Sequence, residues 1–413
     1  MSLSHSDHSK NLPQPFLVNV GAWILIAGVF SIPLLGNAAH NILLGLPIII
    51  LCCTRNIKQY PSLLKENRTA LLSTVLYAWL AISILWSSAD TNYSIKILSK
   101  YREFLLIPLF MIYFTSDKYR KHAFIALYAA LLFSLFFSYL MHYDVIHFWD
   151  NPNSIKNRIF HGISMSIFAY INLQAAVISR KYRAMFIALF LITFHNLFFI
   201  ENGRIGYLLI STLTALFCWQ QWRLKGLGTM LIVSSIGATV LIFFVDLSHV
   251  RIIDHLDVIN RARELNLTVL QQLDIRLEFY IVSLHAFLDS WLLGHGLGSF
   301  PEAYAVQHSA IETFWHKTVN SHNEFLQISV QTGIIGLILF ISFLSTLLLN
   351  RKHLAPLQRQ CQTALFVTFV ISCMFNSSFM DHGDGTLFMI LTALVIGTPW
   401  QVKGETSTLE TNT

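Results

Sequence analysis

Charge is scarce along this chain. Asp, Glu, Lys and Arg make up 12% of its 413 residues, while 54% are hydrophobic; a soluble domain carries roughly 25% charged residues. The shortage argues against an ordinary soluble globule. Cysteine is scarce too. The five present, Cys52, Cys53, Cys218, Cys361 and Cys373, all lie in or beside apolar runs. An external domain stapled by disulfides is therefore not expected, nor is a cysteine metal site. Seven histidines fall between His249 and His322, yet none forms a His-x-x-x-His pair or a compact His/Asp cluster, so no metal and no cofactor is expected. The net charge is +6, but the basic residues are divided among short loops and form no single stripe, which argues against a nucleic-acid partner. No cleavable signal peptide is expected either. Residues 1–15 are mostly polar with Lys10 their only basic residue, and the run at 16–36 is too long for a signal core.

What the chain does have is apolar runs, recurring from residue 17 to residue 398. Their length, about 15 to 20 residues, suits membrane-crossing helices; barrel strands would be about ten residues with alternating polarity. The expected fold is an all-α polytopic membrane protein of about twelve transmembrane helices, at 17–36, 40–54, 69–87, 98–115, 122–140, 161–179, 183–199, 204–220, 227–246, 323–349, 362–378 and 384–398. This divides the chain into nine membrane helices (1–246), a long partly helical external loop (247–322) and three more helices with a tail (323–413). With the N-terminus inside, 17 of the 28 basic residues fall on the cytoplasmic side, as the positive-inside bias requires. In the long loop, 251–270 reads as an amphipathic helix, and 275–293 carries apolar residues at helical spacing before breaking at Gly294-His295-Gly296-Leu297-Gly298.

Three residues sit at membrane boundaries on the same expected side. Arg204 follows Glu201-Asn202-Gly203 and opens an apolar run; Arg276 lies in Asp274-Ile275-Arg276-Leu277-Glu278; His322 lies in Asn320-Ser321-His322-Asn323-Glu324. An arginine fork suits phosphate oxygens, and a histidine titrates near neutral pH. Plainer readings stand beside these: Arg204 snorkelling or paired with Glu201, Arg276 in an ion pair with a nearby carboxylate, and His322 as a capping residue. Arg102, Arg158 and His161 are candidates to extend an anion-binding surface, and Asp381 or Asp384 to orient a catalytic residue; a structural role is the simpler account of each.

The stretches Asn202-Gly203-Arg204-Ile205-Gly206, Arg276-Leu277-Glu278-Phe279-Tyr280 with Leu292-Leu293-Gly294-His295-Gly296-Leu297-Gly298-Ser299-Phe300, and Ser321-His322-Asn323-Glu324-Phe325-Leu326 with Thr332-Gly333-Ile334-Ile335-Gly336 together resemble the O-antigen ligase family. Gly203 stands where that family's motif has serine, and Trp291 where proline is common. The resemblance is specific across about residues 201–340. It implies a bacterial inner-membrane glycosyltransferase with its active site facing the periplasm; the residues seen require no metal, and the basic-residue bias puts both termini in the cytoplasm. Its partners would be a glycan on undecaprenyl diphosphate, the lipid A–core oligosaccharide that accepts it, and membrane lipids. By the same analogy Arg204 and Arg276 would hold the diphosphate and His322 would orient or deprotonate the acceptor hydroxyl, unless it binds diphosphate as imidazolium. The rivals are an O-antigen polymerase, a protein O-oligosaccharyltransferase and a lipid-linked glycan transporter. The absence of a convincing internal repeat argues against the last.

Overall fold

The computed structural model describes residues 16–147, 153–201, 203–244, 275–311, 318–349 and 354–397. The helices in chain order are α1 Phe16–Ser31, α2 Asn37–Cys53, α3 Tyr60–Glu66, α4 Arg68–Ile82, α5 Thr91–Lys100, α6 Glu103–Phe114, α7 Asp117–His142, α8 Arg158–Ile178, α9 Arg183–His195, α10 Arg204–Phe244, α11 Ile275–Asp289, α12 Phe300–Ile311, α13 Glu324–Thr346, α14 Pro356–Phe375 and α15 His382–Ile396. Among the described residues there is no strand. The amphipathic helix expected at 251–270 lies outside them.

The expectation of twelve spans is not met. Among the described residues five helical stretches are long and apolar enough to cross a membrane: Arg68–Trp86, Asp117–His142, Arg158–Ile178, Arg183–Glu201 and Glu324–Thr346. A sixth is reached only if Asn37–Cys53 and Arg55–Glu66, bent by 83°, count as one. The reason is that an apolar run is not a continuous helix. The run at 98–115 is broken at residues 101–102, leaving α6 with 12 residues. The first run forms a 16-residue helix and the last a 15-residue one. The runs at 204–220 and 227–246 are joined in α10 across a non-helical Arg223, at φ 54° and ψ −138°. In α14 the first turns carry Gln358, Arg359, Gln360 and Gln362. A span needs about 20 consecutive apolar residues in one helix, and composition alone does not reveal these breaks. The chain is a multi-pass membrane protein, but the side assigned to each loop from the twelve-span count loses its footing.

In a bilayer the hydrophobic effect does not drive helix against helix, so close packing must. An aromatic core does this where α6, α13, α14 and α15 meet: Phe104 stacks on Phe379 at 4.4 Å and Phe369 on Phe388 at 4.0 Å. α8 and α10 approach backbone to backbone, where a Cβ on Gly162 would lie 3.1 Å from Gly206 Cα.

One junction fixes the helices that carry the candidate site. α13 is interrupted at Gly333 (φ 66°), and the turn after α11 reverses at Gly294 (φ 69°). The break leaves carbonyls of α13 without their usual partners. His295 N donates to Val330 O (3.0 Å) and Gly296 N to Gln331 O (2.9 Å), while Ile334 N donates back to Trp291 O (2.8 Å). The Gln331 side chain accepts from Gly298 N at 2.7 Å. From α4 and the turn after it, Trp79 Nε1 donates to Thr332 O (3.3 Å) and Trp86 Nε1 to Leu293 O (3.2 Å). A Cβ on Gly333 would collide with the Leu292 carbonyl, and a positive φ already disfavours one. Gly333→Ala is therefore expected to cost about 2 kcal/mol or more, read as a lower thermal midpoint of the purified protein. Gly228→Ala, where a Cβ meets nothing within 4 Å, should leave that midpoint unchanged or raise it.

Candidate functional site

Among the described residues five α-helices carry arginine as their first or second residue: α4 at Arg68, α8 at Arg158, α9 at Arg183, α10 at Arg204 and α11 at Ile275-Arg276; α8, α10 and α11 are the three that concern the site. A helix N-terminus already carries partial positive charge, so a cation there is electrostatically unfavourable. Placing several such ends together raises a positive potential that an anion would relieve. The starts of α8 and α10 are neighbours, since a Cβ on Gly203 would lie 3.7 Å from the Arg158 carbonyl oxygen. Arg204 and Arg276 line one cavity of about 280 Å³, whose other walls are Ile205, Leu208, Leu277, Tyr280 and Phe375. The i,i+4 pairs Arg204/Leu208 and Arg276/Tyr280 put each arginine on the cavity face of its helix.

Tyr280 ties this cavity to His322. Its hydroxyl lies 3.0 Å from Met374 O and 3.3 Å from His322 O, donating between them. The His322 ring stacks on Phe279 with centroids 5.7 Å apart. His322 is one of three non-glycine residues with positive φ (53°) among those described, a conformation that must be held from outside. Asn320 holds it: its Oδ1 accepts from His322 N (2.8 Å) and from Ser377 Oγ (2.6 Å). Asn323 then caps α13 by accepting from Leu326 N at 3.2 Å. Beneath, the fully buried Glu324 accepts from Tyr101 Oη (2.8 Å) and Phe379 N (2.9 Å). These bonds hold the start of α13 on the turn between α5 and α6 and on the turn before α15.

Burial and the Arg276 guanidinium hold the His322 imidazole below its ordinary value, and the Asn376 side chain pulls the other way. Its Nδ1 is buried with no hydrogen-bond partner among the described residues. Asn376 Nδ2 donates to buried Asp384 Oδ2 at 3.0 Å. Asp381 instead caps α15 through Gly383 N (3.3 Å) and accepts from Asn157 Nδ2 (3.4 Å), joining the starts of α15 and α8.

The remaining sequence candidates are dispersed around this centre. Arg102 Nη2 donates to Asn41 Oδ1 at 2.7 Å. His161 is 1% exposed and its Nε2 lies 2.9 Å from Asn196 Oδ1. Glu201 accepts from Ser154 Oγ at 3.0 Å, and Glu278 Oε1 lies 3.6 Å from His308 Nε2. Sequence reasoning missed Tyr280, Asn376 and Lys156. Only Tyr280 left a signal, one turn after Arg276. Lys156 donates to Asn37 Oδ1 at 3.1 Å, and burial pushes its ammonium down to about 8, with Asp381 opposing. Among the described residues no three His, Cys, Asp or Glu side chains gather as a metal site.

Residues 186–341 match the model of a family described as O-antigen ligase. The chain matches no curated protein.

The charges around His322 make a signed test. Arg276→Gln should raise the pH midpoint of His322 modification by diethyl pyrocarbonate, followed on its own peptide by mass spectrometry. Asn376→Ala should lower it. Movement in the opposite direction in either variant contradicts the electrostatics described above.

Proposed function

We propose, from the match of residues 186–341 to the O-antigen ligase family, that the protein is an O-antigen ligase, moving a glycan from undecaprenyl diphosphate to lipid A–core oligosaccharide. The observation that carries this reading is the single cavity shared by Arg204 and Arg276 and joined to His322 through Tyr280. Two arginine forks on one small cavity suit a diphosphate. The apolar walls Ile205, Leu208, Leu277 and Phe375 reduce solvent screening there and strengthen attraction to the charge that grows on the leaving group.

The reaction asks for one displacement. The acceptor hydroxyl oxygen attacks the anomeric carbon of the donor sugar. The bond from that carbon to the diphosphate oxygen breaks, and its electron pair leaves with the diphosphate, whose charge Arg204 and Arg276 neutralise. The hydroxyl proton passes to His322, which is held below its ordinary pKa and so is neutral and able to accept it near pH 7. Attack opposite the leaving group inverts the anomeric centre. Arg158, whose backbone lies beside the start of α10, is proposed to extend the anion-binding surface.

We place this end of the bundle in the periplasm. The opposite end, where α7 begins, α8 ends and α14 begins, carries Lys118, Arg120, Lys121, Arg180, Lys181, Arg183 and Arg359, as a cytoplasmic surface does.

Reconstitution with defined carrier-linked donor and lipid A–core acceptor tests the assignment. Transfer to the lipid A–core is expected; extension only of carrier-linked chains would instead make the protein a polymerase. Arg276→Lys keeps the charge but loses the fork, and should lower transfer by about 10²-fold; full transfer would remove the bidentate role. His322→Gln should abolish transfer while donor binding persists, and loss of both would remove the base.

A further inference from the structure

The far end of the bundle holds a larger cavity with no part in the chemistry above. It is about 480 Å³, opens between α7, α8 and α14, and is walled by apolar side chains including Phe124, Ile171, Ile178 and Leu357. A smaller cavity of about 60 Å³ continues from it past Phe124 and Ile171 toward Leu365 and Leu391 in the core. The crevice thus runs inward from the surface, as a chain-like apolar ligand would require. Its place is set by α8. The start of that helix adjoins Gly203 and its end, Ile178, lies at the crevice mouth, so its 21 residues separate the two by about 30 Å.

The mouth is cationic. Lys121 is exposed there, and Arg120 is paired with Asp117. Arg180, Lys181 and Arg183 follow Ile178 directly and are exposed. Within residues 115–125, 175–185 and 354–365, which border the mouth, Asp117 is the only acid, and its charge is used by Arg120. Apolar walls crossing into a ring of cations match a molecule with an acyl chain and an anionic head. Basic pockets between membrane helices on a cytoplasmic face are known to bind such heads.

We propose that this crevice is a binding site for an anionic glycerophospholipid, with one acyl chain between α7, α8 and α14 and its phosphate among Lys121, Arg180 and Lys181. Phosphatidylglycerol is the probe and phosphatidylcholine the zwitterionic control. In native mass spectrometry of the full-length delipidated protein, one phosphatidylglycerol should bind at least about fivefold more tightly than phosphatidylcholine, a margin of about one lysine near an anionic surface. Lys121→Glu, a surface change, should remove that preference. Ile171→Trp should fill the crevice and weaken both lipids. Equal affinity for the two lipids overturns the proposal, as does a preference that survives Lys121→Glu. So does a crevice lipid that proves to be a polyprenyl phosphate or a free fatty acid.

Discussion

The junction between Gly294 and Gly333 is the constraint on which the candidate site depends. α11 brings Arg276 and α13 is preceded by His322. The interruption at Gly333 exposes carbonyls at membrane depth, where an unsatisfied one is costly. The turn at residues 294–298 supplies the missing donors and receives one in return. That exchange aligns the two helices in parallel, so Phe279 and Tyr280 meet His322 at the other end of the contact. A glycine on each side is required because the two backbones touch.

A second constraint is polar. The start of α13 and the turn before α15 share a set of buried bonds: Glu324 to Tyr101 and Phe379, Asn320 to Ser377, and Asn376 to Asp384. Each satisfies a group that the scarcity of charge elsewhere makes conspicuous. Together they hold His322 in a left-handed conformation with its ring against Phe279. The same architecture divides labour between the ends of the bundle. One end gathers helix N-termini with arginines around a small cavity, and the other gathers lysines and arginines around an apolar crevice.

Much of the site was legible in the sequence, and the architecture less so. Arg204, Arg276 and His322 announced themselves as charged or titratable groups at the edges of apolar runs, and the glycines at 294–298 as a turn. Both readings rest on local chemistry that survives folding. The number of spans did not survive, because hydropathy cannot see the break at residues 101–102, the non-helical Arg223 or the bend after Cys53. Asp384 was noticed without its connection, since Asn376 is an ordinary amide at a helix end and acquires meaning only where α14 stops beside His322. His161, a candidate for the anion-binding surface, lies enclosed against Asn196, because α8 is buried along most of its length.

The central claim is that Arg204 and Arg276 act on one diphosphate. A double-mutant cycle on binding of a diphosphate-linked carrier lipid, with Arg204→Ala, Arg276→Ala and the pair, addresses it most directly. Two arginines on a shared ligand should be coupled, so the double variant is expected to lose about 1 kcal/mol less than the sum of the single losses. Additive losses, or a binding constant untouched by either change, would contradict the account.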